Sequence, residues 1–524
     1  MMKYVSVSEM QAIERQANAS GLSYEHMMEN AGRGLAEVVL EEYGYLAEDG
    51  ALGLVGSGNN GGDTLVALAY LAKEGWKASA AIVRPRPVDD PLVARLLAAG
   101  GQVALLDEQL DPETLERLLE EHGLLLDGVL GTGARLPLKA EAAQALEFTR
   151  RKLEAMEDPP AVVAVDCPSG VDCDSGEVAP ECIPAELTVT MAAVKQGLLK
   201  FPAYKLVGDL QVVGIGLAQD GQALPAWESA RCFLPDLEWV GEALPERPLD
   251  AHKGTFGTAL VVAGSANYTG AAWLAGQAAY RIGAGLVTLA VPAPLHAALA
   301  GQFPEATWVL LPHIDGFIAA GASLLLQTHL KRATALLVGP GFGLEDTTAE
   351  FLARLLGADG TFLPPMVVDA DGLKLLRRLP DWARRLPSPA VLTPHPGEMS
   401  VLTGLPREAI QADRLEVARR YSQEWGHVVV LKGAFTLIAA PDGEAAIIPV
   451  ATPALARAGT GDVLAGLISG LRAQGVEAFE AAVAGAWIHA YAGLQAVEEV
   501  GNPASVLAGD VLRSAISVIS DLTH

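Results

Sequence analysis

The sequence predicts an α/β protein of two consecutive domains, the first over residues 1–220 and the second over 221–524. Short apolar runs of strand length alternate with runs of helical length through most of the chain. Several predicted strands run directly into glycine-rich turns, as where residues 51–55 meet GSGNNGGD at 56–63. A length of 524 residues also exceeds what one hydrophobic core organises.

In the first domain, Ser8 to Gln11 has a capping-box pattern, with Met10, Ile13 and Ala17 continuing a helical face. A second helix is expected over 26–42. The strand at 51–55, the glycine loop and an apolar helix from Thr64 form the layout of a nucleotide-binding α/β unit. The loop is not a GxxxxGK[ST] phosphate loop. Further strands are expected at 78–83, at 124–126 leading into DGVLGTG, and at 161–166 leading into CPSGVD. Asp127 and Asp166 then fall at strand ends, and parallel sheets bind ligands at that carboxyl edge. Asn60, Asp127 and Ser169 would converge there; oxygen donors with one carboxylate suit a monovalent or weak cation and not zinc. Lys195, in VKQGL, is the candidate cation or proton donor of this half.

Prolines 225, 235, 245 and 248 mark 217–250 as a linker with the first strand of the next domain. Strands at 259–263 and 286–291, strand-to-loop stretches at 336–343, 366–372, 391–398 and 428–436, and a helix at 270–281 predict a layered α/β/α domain. Its chemistry is expected at Gly459-Thr460-Gly461-Asp462, ahead of an apolar helical run. Unpaired N–H groups and the helix dipole favour an anion at such a terminus, and glycines let a phosphate approach. An aspartate beside that cradle suits a general base taking a proton from a hydroxyl as it attacks phosphorus.

Composition limits the alternatives. With 50% hydrophobic and 19% charged residues the chain is globular with ample core. A net charge of −26 argues against nucleic acid or anionic membrane as main partner. Cys167, Cys173, Cys182 and Cys232 form neither a disulfide framework nor a metal-site spacing. The N-terminal stretch carries Glu9 and Glu14 and no apolar core, so it does not read as a signal peptide. Residues 255–280 and 282–304 lack charges but contain Gly264, Ser265, Asn267, Pro292 and Pro294, and read as strand, loop and helix. Residues 481–497 contain His489 and Gln495 and read as a buried helix. A cytoplasmic, homo-oligomeric protein is expected.

SGNNGGD, LLDGVLGTG, AVDCPSGVD and VKQGL resemble the NAD(P)HX epimerase domain of the bifunctional NAD(P)H-hydrate repair enzymes, a Rossmann-like fold. The resemblance implies that Asn59, Asn60, Gly61, Gly62, Asp63, Gly131, Thr132, Gly133, Ala134, Arg135, Leu136, Pro137 and Asp166 contact the hydrated nucleotide. It also implies K⁺ on Asn60, Asp127 and Ser169, with Asp166 and Lys195 as acid–base candidates. Thr64 and Gln196 stand where that family has glycine and proline.

HKGTFG, AGSANYTGAA, GPGFG, VDADGL, LTPHPGEM, VLKGAFT and AGTGDVLAG resemble the ADP- or ATP-dependent NAD(P)H-hydrate dehydratases, a ribokinase-like fold. This implies Asp462 as base and Lys432, Gly433, Ala434, Phe435, Thr436, Gly459, Thr460 and Gly461 around the Mg²⁺-bearing donor. Ala259, Gly341 and His395 would meet the hydrate, and Glu398 would stand where sugar kinases organise Mg²⁺ and phosphate. The competing readings are a vitamin- or sugar-type kinase fused to a non-catalytic nucleotide-binding module, and a scaffold related to proteins of RNA metabolism.

Overall fold

In the computed structural model, residues 1–106, 111–217, 224–357 and 362–523 are described. They form two compact units, Met2–Arg231 and Cys232–His524. The expected boundary at 220/221 lies outside the described residues.

In the first unit a parallel sheet runs in the order Gln102–Leu105, Ala78–Ile82, Ala51–Val55, Leu124–Gly128, Ala161–Val165, Leu187–Met191, Asp209–Val213. The chain works outward from Ala51–Val55 and then returns to its other side at Leu124–Gly128, which opens a crevice between those two strands. Both faces of the five inner strands are buried, so these strands read as mostly apolar runs. Ala51 and Val55 face the layer holding Leu65 and Leu68, while Leu52 and Leu54 face Leu115, Leu118 and Leu146. The first helix, Val7–Ala19, is capped by Ser6 and not by Ser8 as its sequence pattern suggested. Ser6 Oγ accepts from Glu9 N at 3.2 Å and Glu9 Oε2 accepts from Ser6 N at 2.7 Å. Beside it, Met2–Val5 pairs in parallel with Val194–Lys195 and fixes the backbone that carries Lys195.

The second unit has the strand order Thr307–Leu311, Leu286–Pro292, Thr258–Val262, Ala335–Val338, Met366–Val368, Val391–Leu392, Val428–Leu431, Leu437–Ala439, Ala445–Ile447, Cys232–Leu234. Pairing is parallel except where Leu437–Ala439 joins its two neighbours. Thr269–Arg281, Thr460–Ala473, Ala478–Val500 and Ala508–Leu522 contribute to the core on one face. Ala322–Leu330, Asp346–Gly357 and Asp371–Leu376 cover the other, completing the α/β/α layering. The charge-poor run after residue 255 is strand Thr258–Val262, helix Thr269–Arg281 and strand Leu286–Pro292, as expected. Among the described residues no helix is long and apolar enough to cross a membrane.

Thr460–Ala473 crosses Thr269–Arg281 at van der Waals limit because Gly466 and Gly470 face it. A Cβ on Gly466 would lie 2.3 Å from Ala275 O, a backbone atom that has no room to retreat. Gly466→Ala should therefore lower the stability of the second unit by about 1–3 kcal/mol, read as a fall in denaturation midpoint.

Candidate active sites at two strand edges

In the first unit a cavity of about 690 Å³ opens at the carboxyl edge of the sheet. Its floor is the start of helix Asn59–Lys73, whose N-cap is Gly58 and whose first N–H groups gain no side-chain cap. Close approach explains the glycines. A Cβ on Gly61 would sit 2.1 Å from Gly56 O, and one on Gly131 would sit 2.8 Å from Asn60 Oδ1. Asn59, Asn60, Asp63, Gly131, Thr132, Gly133, Ala134, Asp166 and Lys195 all line this cavity. Gly61 and Gly62 are buried beneath it, and Arg135, Leu136 and Pro137 are not among its lining residues.

Asp127, Ser169 and Asn60 do come together. Asp127 Oδ2 accepts from Ser169 N at 2.8 Å, and Ser169 Oγ accepts from Leu130 N at 2.9 Å. Asn60 Nδ2 donates to Val165 O at 2.6 Å and to Leu130 O at 2.9 Å. Asp127 Oδ1 is buried without a hydrogen-bond partner, and burial raises its carboxyl above the usual range against the pull of Ser169. An orphaned, fully buried carboxylate oxygen is what a bound cation would satisfy.

Asp166 holds φ at 65°, an unfavourable conformation for a residue with a Cβ. Its Oδ1 accepts from Met191 N at 3.0 Å, from Thr190 Oγ1 at 3.1 Å, and from Lys195 Nζ through a short charge-assisted bond. Lys195 is 1% exposed and also donates to Met191 O at 2.8 Å, so it is no surface lysine. Sequence reasoning missed three charged groups on the same cavity, Glu14, Glu25 and Arg84. Burial raises the Glu14 carboxyl despite nearby Lys195, and burial with the charge of Asp166 raises that of Asp63 well above the usual range. Glu14 follows Ile13 on a helix whose legible signal was apolar, and a single acid there reads as solvent-facing.

The four cysteines are buried free thiols, and the neighbouring Cys173 together with burial raises the Cys167 thiol.

In the second unit a cavity of about 390 Å³ is lined by Lys432, Gly433, Ala434, Thr436, Thr460, Gly461, His395 and His489. Phe435 is 5% exposed and does not line it, so of the predicted 432–436 segment that side chain belongs to the core. Gly459 takes φ 94°, the left-handed turn that lets helix Thr460–Ala473 begin at the cavity wall. Thr460 Oγ1 donates to Leu455 O and Arg457 O, both at 2.9 Å, tying the loop to the helix start.

Asp462 lies in that first helical turn, half-buried, and does not line the cavity although Gly461 does. Burial, reinforced by the charges of Asp369, Asp371 and Glu398 and opposed by Lys432, pushes its carboxyl up to about 7. Lys432 Nζ donates to Asp369 Oδ1 at 2.6 Å and lies 3.8 Å from Glu398 Oε2. Burial alone would lower that ammonium, but Asp369 and Glu398 raise it on balance. Asp369 Oδ1 also accepts from Thr393 Oγ1 at 2.7 Å, giving a role to an acid that the sequence left unassigned.

His395 caps helix Pro396–Thr403: its Nδ1 accepts from Gly397 N at 2.9 Å and Glu398 N at 3.3 Å. Burial lowers its pKa, and an accepting Nδ1 makes it a neutral imidazole whose Nε2–H faces Glu398 Oε1 at 3.3 Å. Glu398 is thus fixed by the cap and 4% exposed. Gly341, at φ 65°, presses on Tyr268 and Ala271; a Cβ there would lie 2.9 Å from both side chains. Ala259 is fully buried near the start of its strand, away from the carboxyl edge, and is a core residue. The contact near Gly341 comes instead from Tyr268 and Ala271, just after the glycine turn. His489 was read only as part of a buried helix. Its Nε2 is buried without a hydrogen-bond partner at the cavity wall, and burial pushes its pKa down to about 4.

A family model described as NAD(P)H-hydrate dehydratase matches residues 259–516. Another, described as YjeF-related protein N-terminus, matches residues 24–197. The bifunctional NAD(P)H-hydrate repair enzyme of Moorella thermoacetica is 36% identical over 99% of this chain and 97% of its own. That of Salinibacter ruber is 36% identical over 96% of this chain and 93% of its own. A solved structure described as ADP/ATP-dependent NAD(P)H-hydrate dehydratase from Bacillus subtilis, co-crystallized with ATP/Mg²⁺, aligns with a TM-score of 0.48. It is 31% identical, over 55% of this chain and 98% of that one. With near-complete coverage at this identity, and with both halves matched in order, the chain belongs to the family of bifunctional NAD(P)H-hydrate repair enzymes.

Proposed function

We propose that the second unit dehydrates the S form of NAD(P)HX to NAD(P)H at the expense of ADP or ATP, and that the first unit interconverts the R and S forms. The observation that carries the dehydratase reading is Asp462, a carboxyl group poised near 7 in the first turn of a helix whose N-terminus opens on a cavity. A base with that proton affinity is matched to neutral pH.

In this reading the 390 Å³ cavity receives the nucleotide, with Lys432 and the helix start at Gly461 facing its phosphates. Asp462 removes the proton of the hydrate's ring hydroxyl while that oxygen attacks the terminal phosphorus, and the bond to the departing nucleotide breaks. The ring C–O bond then breaks, phosphate leaves with that electron pair as the ring nitrogen's lone pair forms an iminium, and loss of a proton from the neighbouring ring carbon restores the dihydronicotinamide. Neutral His395, with Nε2–H held toward Glu398, orients the hydrate without adding positive charge. Mg²⁺, when bound with the donor, offsets phosphate charge; Asp369 and Glu398 are the buried carboxylates beside that site. Among the described residues no group of three His, Cys, Asp or Glu could hold a metal. The ion would therefore be held largely by phosphate and water, as suits Mg²⁺.

In the first unit the buried Asp166–Lys195 pair serves as acid–base machinery at the hydroxyl-bearing carbon. Asp127 Oδ1, Ser169 and Asn60 would hold K⁺, whose charge would brace the two loops that enclose the substrate.

Asp462→Asn should lower dehydration by about 10²–10⁴-fold. It should leave epimer exchange intact, as measured by return of dihydronicotinamide absorbance from purified S hydrate and by chromatography of the epimers. Asp127→Asn should raise the K⁺ concentration needed for epimerisation on the order of 10–100-fold while dehydration is unchanged, as measured by titrating K⁺ into choline-buffered enzyme.

A further inference from the structure

Two arginines follow strand Ala78–Ile82, and the structure uses them differently. Arg86 is committed: its Nε donates to Asp90 Oδ2 at 2.7 Å and its Nη1 to Gly56 O at 2.8 Å, so it braces the glycine loop. Arg84 lines the 690 Å³ cavity, and its Nε is buried with no hydrogen-bond partner. Its one ion-pair partner among the described residues is Glu141 Oε2 at 3.6 Å, on a carboxylate 60% exposed. A long, solvated pair of that kind contributes little, which leaves the guanidinium available to an anion in the cavity.

Its place along the sheet says which anion. Asp166 and Lys195 lie on one side of the crevice, the N-terminus of Asn59–Lys73 lies at its centre, and Arg84 lies past the strand on the other side. From strand Ala161–Val165 to strand Ala78–Ile82 is three strand spacings, about 14 Å, a span an extended dinucleotide can bridge. With the reacting ring at Asp166 and the diphosphate on the helix N-terminus, the second ribose arrives at Arg84. At this point of a nucleotide-binding α/β unit an acid takes a free ribose 2′-hydroxyl, whereas an arginine takes a 2′-phosphate. Of the two acids of this segment, Asp90 is held by Arg86 and by Leu92 N at 2.9 Å, and Asp89 is exposed and does not line the cavity.

We infer that Arg84 binds the ribose 2′-phosphate and makes the first unit's site selective for NADPHX over NADHX. The inference rests on the epimerase reading of that cavity. It is tested with the full chain by measuring epimerisation of both hydrates in wild type, Arg84→Ala and Arg84→Lys, beside calorimetric binding of NADP⁺ and NAD⁺. The expected result is that Arg84→Ala lowers kcat/KM for NADPHX by about 10–100-fold through KM. NADHX turnover and NAD⁺ binding stay within about twofold, NADP⁺ binding weakens, and Arg84→Lys recovers part of the loss. Equal losses for both hydrates would assign Arg84 to the diphosphate and overturn the inference, as would no loss for either. If wild type exchanges neither epimer, the epimerase reading fails; NADP⁺ binding that still weakens selectively in Arg84→Ala would then uphold the phosphate contact, and unchanged binding would overturn it.

Discussion

Each site is organised around one buried lysine clamped to a carboxylate at a strand end, Lys432 on Asp369 and Lys195 on Asp166. A buried ammonium is tolerated only when paired: Lys195 donates to Asp166, Thr190 and Met191, and the less buried Lys432 donates to Asp369 with Glu398 nearby. Each edge, however, holds more acids than cations. The carboxyl groups left over, Asp462 in one unit and Glu14 and Asp63 in the other, bind their protons more tightly than in water. Separated proton affinities within one cavity are what acid–base chemistry near neutral pH requires. The ion pairs thus serve the sites less by adding stability than by using up the positive charge.

The parallel sheets explain why these groups meet at all. A parallel strand buried on both faces can place polar side chains only where it ends, and the following helix begins there with its N–H groups unpaired. Polar groups, amide donors and dipole therefore share one edge in both units. Glycine sets how near they come: Gly56, Gly61 and Gly131 in the first unit bring loops into contact that any Cβ would separate. Gly459 in the second turns the chain into its helix.

Much of this could be read from the chain, because strands, glycine turns and helix starts are local signals. The convergence of Asn60, Asp127 and Ser169 followed from placing each beside a strand end, and the structure joins them. Other features depend on tertiary packing, which leaves no local mark. Ser6, and not Ser8, caps the first helix because strand Met2–Val5 ends just ahead of it. Phe435 turns into the core although its neighbours line a cavity. Ala259 is fully buried near the start of its strand, at the end away from the carboxyl edge. Glu14, Arg84 and His489 look ordinary in sequence and gain meaning only from the cavities that they face.

The central claim is that burial at the strand edge, reinforced by neighbouring acids that outnumber the cations, sets the proton affinity of Asp462. The most direct measurement is the pH dependence of kcat/KM for dehydration of the S hydrate. The base must be ionised to act, so the rate should climb tenfold per pH unit below the break and level off above about pH 7. A profile already flat at pH 5, breaking near the ordinary carboxylate value of about 4, would contradict the account.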